Sequence, residues 1–354
     1  ERAGDEGQLA SGAGAWWWGG VLRGFMAAPR VEGARGGCRG EWVARVVRVA
    51  AWGFGALLGL ALATALAIIA WAEWQAAITA PGAVPASFKV EGSRVDSTVG
   101  ADPAGAPVLI LLHGAGLNRH MWDAVRRGLD PQYRVIALDL PGHGARSGEI
   151  YSLPAARATV AAAARSVAPA PVLLVGDSLG GYSAMAAAEA VPREQLRGLV
   201  LAGCTSPRET SRLFAYLKNI VMVTTMRLFV DEPRFVGRAL ASLEVADGDA
   251  RSIVAGGVSL RAVPFAERAL LFTDFQATLA RAKPTVLIVN GDLDQRAVAG
   301  EAGFAAAAAS ASVHHFQNTP HGVSMRRSAE FAGLVNRFVV FQAVCRSKMN
   351  RNSL

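Results

Sequence analysis

The apolar and polar positions divide the chain into two regimes. From 49 to 72 it reads VAAWGFGALLGLALATALAIIAWA, 24 positions without a charged residue. At about 1.5 Å per residue, a helix of that length extends roughly 36 Å, enough to cross a hydrocarbon core. From Phe88 onward, short apolar runs of strand character alternate with Ala-rich stretches of helical character. Strands are expected over 88–91, 94–99, 107–113, 133–139, 171–176, 197–203, 284–290 and 312–317. Helices are expected near 120–128, 155–167, 179–191, 297–309 and 328–343. This alternation predicts an α/β fold with a mostly parallel sheet and helices on both faces. The stretch 205–282 breaks the rhythm and reads as several helices inserted above the sheet.

Charge gives the apolar run an orientation. Arg23, Arg30, Arg35, Arg39, Arg45 and Arg48 precede it, against Glu32 and Glu41, and Trp52, Trp71 and Trp74 lie near its ends. Interfacial indoles and the positive-inside rule predict a single-pass membrane anchor. The N-terminus is then cytoplasmic, and everything after Glu73 lies outside, in the periplasm or the cell exterior. A cleaved secretion signal is the alternative, although its apolar core usually runs about 7–15 residues; a buried core helix is a third reading. The organisation expected is a disordered basic segment (1–48), the transmembrane helix (49–72), a linker (73–87), and one domain in two parts (88–204 and 283–343). The helical insertion (205–282) separates those parts, and a basic tail (344–354) follows. Met26 is the first methionine and a candidate start.

Composition strengthens the membrane reading: 52% of the 354 residues are apolar and only 18% charged, with a mean hydropathy of +0.27. The net charge of +8 comes mostly from Arg. Those residues are scattered, apart from the segment before the apolar run and the tail with Arg346, Lys348 and Arg351, so no nucleic-acid-binding patch is predicted. Cys38, Cys204 and Cys345 have neither disulfide-scaffold nor metal-site spacing, and small buried thiols are expected.

The chemistry concentrates in VLLVGDSLGGYSAM, 172–185. An apolar strand runs into Gly176-x-Ser178-x-Gly180, and a helix follows, the pattern of a nucleophile elbow. Glycines two positions either side of Ser178 let strand and helix pass closely, and the turn aims the Leu179 N–H at a developing negative charge. A serine nucleophile needs a general base and a group to orient that base. Downstream, Asp294 follows a strand in NGDLDQ, and His321 sits in a Pro-His-Gly turn after the next. Asp292 competes with Asp294 but is better placed to bond its own turn. His314 and His315 fall inside a strand, whereas His321 lies past a strand end, where catalytic groups of open α/β sheets collect. His113-Gly114, at another strand end, precede Ala115, whose N–H is the expected second oxyanion donor; His113 itself is expected to be structural.

These residues resemble the α/β-hydrolase superfamily across roughly 88–341. Four signatures occur in the family's order: His113-Gly114, the loop from Asp139 to Gly144 with Ser147, the elbow at Ser178, and the pair Asp294 and His321. The resemblance implies the α/β-hydrolase fold with 205–282 as a helical cap that shapes the pocket. It is nearest to the branch of esterases, C–C bond hydrolases and cofactor-free haloperoxidases. His143 is expected to be structural; Asp177, between Gly176 and Ser178, could tune the charge of the site, but a solvated elbow residue is the simpler expectation. Relatives that use Asp or Cys as nucleophile are excluded by Ser178.

The function expected is a serine hydrolase that cleaves a carboxylic ester or related acyl substrate. Ser178, His321 and Asp294 would be catalytic, Ala115 and Leu179 the oxyanion donors, and Gly176, Gly180, His113 and Gly114 structural. No metal or organic cofactor is implied; a small-molecule ester and the membrane are the expected partners. The alternatives are a C–C bond hydrolase and an inactive membrane-tethered binding module. Arg227, Arg234 and Arg238 in the cap could hold an acidic substrate, but solvated helix faces suit them better.

Overall fold

The structure is a computed structural model that describes residues 39–78, 107–204, 216, 218 and 232–351. The expected strands 88–91 and 94–99, the 80–86 part of the linker and Arg227 lie outside them. The chain separates into two units, Glu1–Leu62 and Ala63–Leu354.

Helix α1 covers Arg39–Ile78. It takes in 39–48 and 73–78, which the sequence reading assigned to a disordered segment and a linker. Helix extension adds one hydrogen bond per residue once a long nucleus exists, so the flanking Arg and Glu residues join it. Within α1, the 23-residue stretch Arg45–Ala67 is long and apolar enough to cross a membrane, its most apolar 18 residues having a mean hydropathy of 1.9. Its side chains are exposed, Trp52 at 80% and Val49 at 72%. A core helix of a soluble domain would bury them.

The second unit contains a sheet of strands β1 (Val108–Leu112), β2 (Val135–Leu138), β3 (Val172–Asp177), β4 (Leu196–Ala202), β5 (Thr285–Gly291) and β6 (Ser310–Phe316). Their spatial order is β2-β1-β3-β4-β5-β6, and every described pair is parallel. Besides the end of α1, the described helices of this unit are α2 (Asp123–Gly128), α3 (Leu153–Ser166), α4 (Leu179–Ala187), α5 (Glu232–Ser242), α6 (Asp247–Ala255), α7 (Val263–Leu271), α8 (Phe275–Ala282), α9 (Gln295–Ala307), α10 (Val323–Arg326) and α11 (Ser328–Arg351). α11 continues through most of the expected basic tail.

Alternation along the strands builds two cores. Ile110, Leu112, Leu174, Leu201 and Ile288 join residues of α3, α4 and α8 on one face. Leu109, Leu111, Val175, Val200 and Val289 join Trp122, Phe331 and Val335 on the other. Burial on both faces explains why these strands read as continuous apolar runs.

Chain order reverses at β1, which lies between β2 and β3. The carboxyl ends of β1 and β3 therefore flank the switch point where open α/β sheets form a crevice. The helical insertion is tied to this edge. The Asn118 amide donates to the carbonyls of Ile253 (2.6 Å) and Gly257 (2.9 Å), and the Ser259 N–H donates to Gly116 O at 3.0 Å.

Candidate active site

Ser178 stands between β3 and α4 with φ 48° and ψ −113°. This is strained backbone for a residue with a Cβ. The turn is held by the Ser178 N–H, which donates to Ala202 O at 2.7 Å, and by Ser178 O, which accepts from Gly181 N–H at 3.0 Å. The close approach that demands glycine is present. A Cβ on Gly176 would run into the backbone of Gly180 and Gly181, and one on Gly180 into the Leu112 carbonyl of β1.

The loop after β1 passes beside this turn: a Cβ on Gly114 would stand 3.8 Å from Ser178 Cβ. His113 is fully buried and secures the loop, its Nδ1–H donating to Gly114 O (2.8 Å) and its Nε2 accepting the Leu140 N–H (3.0 Å). Burial keeps its ring neutral despite the nearby Asp139 charge. The Ala115 and Leu179 N–H groups thus belong to neighbouring strand ends, one in the β1 loop and one in the first turn of α4. An N-terminal helical turn favours negative charge.

Asp294 and His321 come together. His321 Nδ1–H donates to Asp294 Oδ2 at 2.6 Å, which leaves the Nε2 lone pair as the basic site of the neutral ring. Asp294 also caps α9, its Oδ1 accepting the Ala297 N–H at 3.3 Å. The ring lies against Gly203, where a Cβ would stand 2.7 Å from His321 Cε1. Gly203 follows Ala202, the residue that accepts the Ser178 N–H, so histidine and serine flank one strand end. Asp294's hydrogen bond raises the His321 pKa; burial opposes it, the Asp177 and Asp294 charges add to it, and Arg326 subtracts. The net shift is upward. Burial pushes the Asp294 carboxyl up, but the His321 bond and charge, the Ala297 N–H and Arg296 outweigh it and hold it low.

The competing groups are engaged elsewhere. Asp292 Oδ1 accepts the Thr319 N–H at 3.1 Å. His315 pairs with Glu301 at 2.8 Å, and His314 packs edge-on to Phe316. His143 is buried, donates from Nδ1 to Pro141 O at 2.9 Å, and is held neutral by burial, which lowers its pKa to about 3. Arg234 and Arg238 are exposed on α5. Cys204 is fully buried, and burial raises its thiol pKa. Among the described residues no group of His, Cys, Asp and Glu could hold a metal ion.

One expectation is corrected. Asp177 is not solvated: it is 3% exposed and accepts a hydrogen bond from Ser324 Oγ at 2.6 Å. The side chain before Ser178 points beneath the turn, where Ser324 of α10 bonds it. Ser324 and the clamping Asn118 were missed by sequence reasoning, because neither belongs to a motif and both act through residues far along the chain.

The chain matches the Alpha/beta hydrolase family over residues 109–334. An esterase of Mycobacterium tuberculosis is 42% identical over 90 residues, which cover 25% of this chain and 30% of that protein. The pimeloyl-[acyl-carrier protein] methyl ester esterase of Edwardsiella ictaluri is 37% identical over 111 residues, 31% of this chain and 41% of the relative. These matches span less than half of either relative. Among solved structures, MenH from S. aureus aligns with a TM-score of 0.57 and 20% identity over 68% of this chain and 95% of that one, a likeness of fold alone.

Proposed function

The chain belongs to the alpha/beta hydrolase family, and on that footing we propose that it is a serine hydrolase of carboxylic esters. The Asp294–His321 pair beside the strained Ser178 turn carries this reading. Ser178 Oγ attacks the ester carbonyl while His321 Nε2 takes its proton. Asp294 fixes the ring tautomer and stabilises the imidazolium. The Ala115 and Leu179 N–H groups receive the oxyanion, each such donor typically lowering the barrier by about 3–4 kcal/mol. His321 then returns the proton to the leaving alcohol, and an acyl-enzyme remains. Water, deprotonated by the same nitrogen, attacks that acyl group and releases the acid. The esterase names of the relatives support an ester over other acyl substrates.

The domain is anchored by α1 in a membrane, its basic flank on the cytoplasmic side. The 23-residue apolar stretch and its exposed side chains support this placement, as do the Arg residues before it.

The test is hydrolysis of p-nitrophenyl esters of increasing chain length by the full chain and by Ser178→Ala, with intact mass read after fluorophosphonate treatment. Turnover is expected to fall by at least about a thousandfold in Ser178→Ala, together with loss of a single probe adduct. A folded protein that forms no adduct and cleaves no ester overturns the reading.

A further inference from the structure

Asp177 has no part in the reaction just described, yet it stands next to Ser178 and is buried beneath the turn. Its carboxylate is buried. Oδ2 accepts from Ser324 Oγ, and Oδ1 lies 3.6 Å from where a Cβ on Gly114 would stand, beneath the oxyanion loop. Ser324 follows His321 by three residues and sits on α10, so the bond joins the turn of the nucleophile to the loop of the base across 147 residues.

A buried carboxylate costs several kcal/mol unless charge or hydrogen bonds compensate it. The ionisable groups that act on Asp177 are His321 and Asp294, and its hydrogen-bond partner is Ser324. The Cys204 thiol lies beside them and is kept protonated by burial. Arg326 acts on His321, and Arg296 on Asp294. Of the groups acting on Asp177, His321 is the one that gains a positive charge during turnover.

We propose that Asp177 is a positioning residue that sets a second negative charge against His321 and, through Ser324, fastens the histidine's loop to the elbow. The proposal rests on the serine-hydrolase reading. Asp294 orients the ring by a direct hydrogen bond; Asp177 shares the stabilisation of the imidazolium from the side of the nucleophile. The electrostatics run both ways. Burial, with the Asp294 charge added to it, pushes the Asp177 carboxyl up; His321 and the Ser324 bond pull against that shift, and the net direction is upward. In turn the Asp177 charge helps to hold His321 above its ordinary range.

The experiment compares the full chain in detergent micelles with Asp177→Asn, Asp177→Ser and Ser324→Ala. His321 is titrated by NMR with histidine labelled at Cε1 and assigned by the loss of its signal in His321→Gln; kcat/KM on p-nitrophenyl butyrate is followed against pH. In Asp177→Asn the His321 midpoint is expected to fall by about one pH unit, with about a tenfold loss of plateau kcat/KM. Ser324→Ala retains the charge and is expected to keep the midpoint. A tether without an electrostatic role would cost activity in both variants and leave the midpoint where it is, which overturns the proposal. Failure of both Asp177 variants to fold overturns it too, because the carboxylate would then serve the fold. The NMR midpoint needs no substrate. A chain that cleaves no ester therefore still tests the charge, and an active chain with an unmoved midpoint loses only this inference.

Discussion

At the scale of single residues, Asp294 does two jobs that one substitution separates. Its Oδ2 takes the His321 Nδ1–H and its Oδ1 takes the Ala297 N–H at the start of α9. Asparagine caps a helix about as well as aspartate, so Asp294→Asn is expected to leave the melting temperature nearly unchanged. Its amide, however, favours the tautomer that puts the lone pair on Nδ1 and a proton on Nε2, where the base must accept. A loss of kcat of about ten-thousandfold is expected, read from steady-state rates beside the unfolding curve. The sign of the pH dependence follows from the same pair. In the proposed mechanism His321 must be neutral to act as base, and Asp294 raises its pKa above the ordinary 6.5. Wild-type kcat/KM should therefore fall to half its plateau at a pH above 6.5 as acid is added. A half-point below 6.5 would contradict this account of His321.

At the scale of elements, the elbow depends on three backbones meeting. Gly180→Ala puts a methyl group against the carbonyl of Leu112, a backbone atom at the carboxyl end of β1 that no rotamer change can move. A destabilisation of about 3 kcal/mol is expected in urea unfolding, with activity lost in step. Gly148→Ala, which meets nothing within 4 Å, is the control and should stay within about 0.5 kcal/mol. Similar stabilities for the two variants would show that the elbow is looser than this packing implies. The six described strands were legible in the sequence within a few residues, because burial on both faces leaves continuous apolar runs with sharp ends. The pairing of Asp294 with His321 was legible as well, since each stands just past a strand end. The burial of Asp177 was not. It depends on α10 docking below the elbow, and His-x-x-Ser carries no local signal of that contact. Nor were the outer ends of α1 and α11, where polar residues extend helices whose apolar stretches had marked only the middle.

At the scale of the whole molecule, the sheet places its switch-point crevice in the second unit, and Asn118 ties the helical insertion to the loop that borders it. α1 runs from the first unit into the start of the second. Its exposed Trp52, Leu57 and Leu60 would gather into aggregates in water unless lipid covered them. Burying the apolar span in a bilayer would remove that cost, and the proposed placement keeps Arg45 and Arg48, at its start, on the cytoplasmic side. Two results follow from one arrangement. The full chain should partition into the detergent phase on cloud-point separation, and a chain beginning after Ile78 should stay in the aqueous phase. Alkaline phosphatase, which folds only outside the cytoplasm, should be active when fused to the C-terminus of the full chain in bacterial cells. A fluorescent protein that matures only in the cytoplasm should be dark at the same position. The reverse pattern of reporters would put the second unit on the cytoplasmic side and overturn the proposed placement.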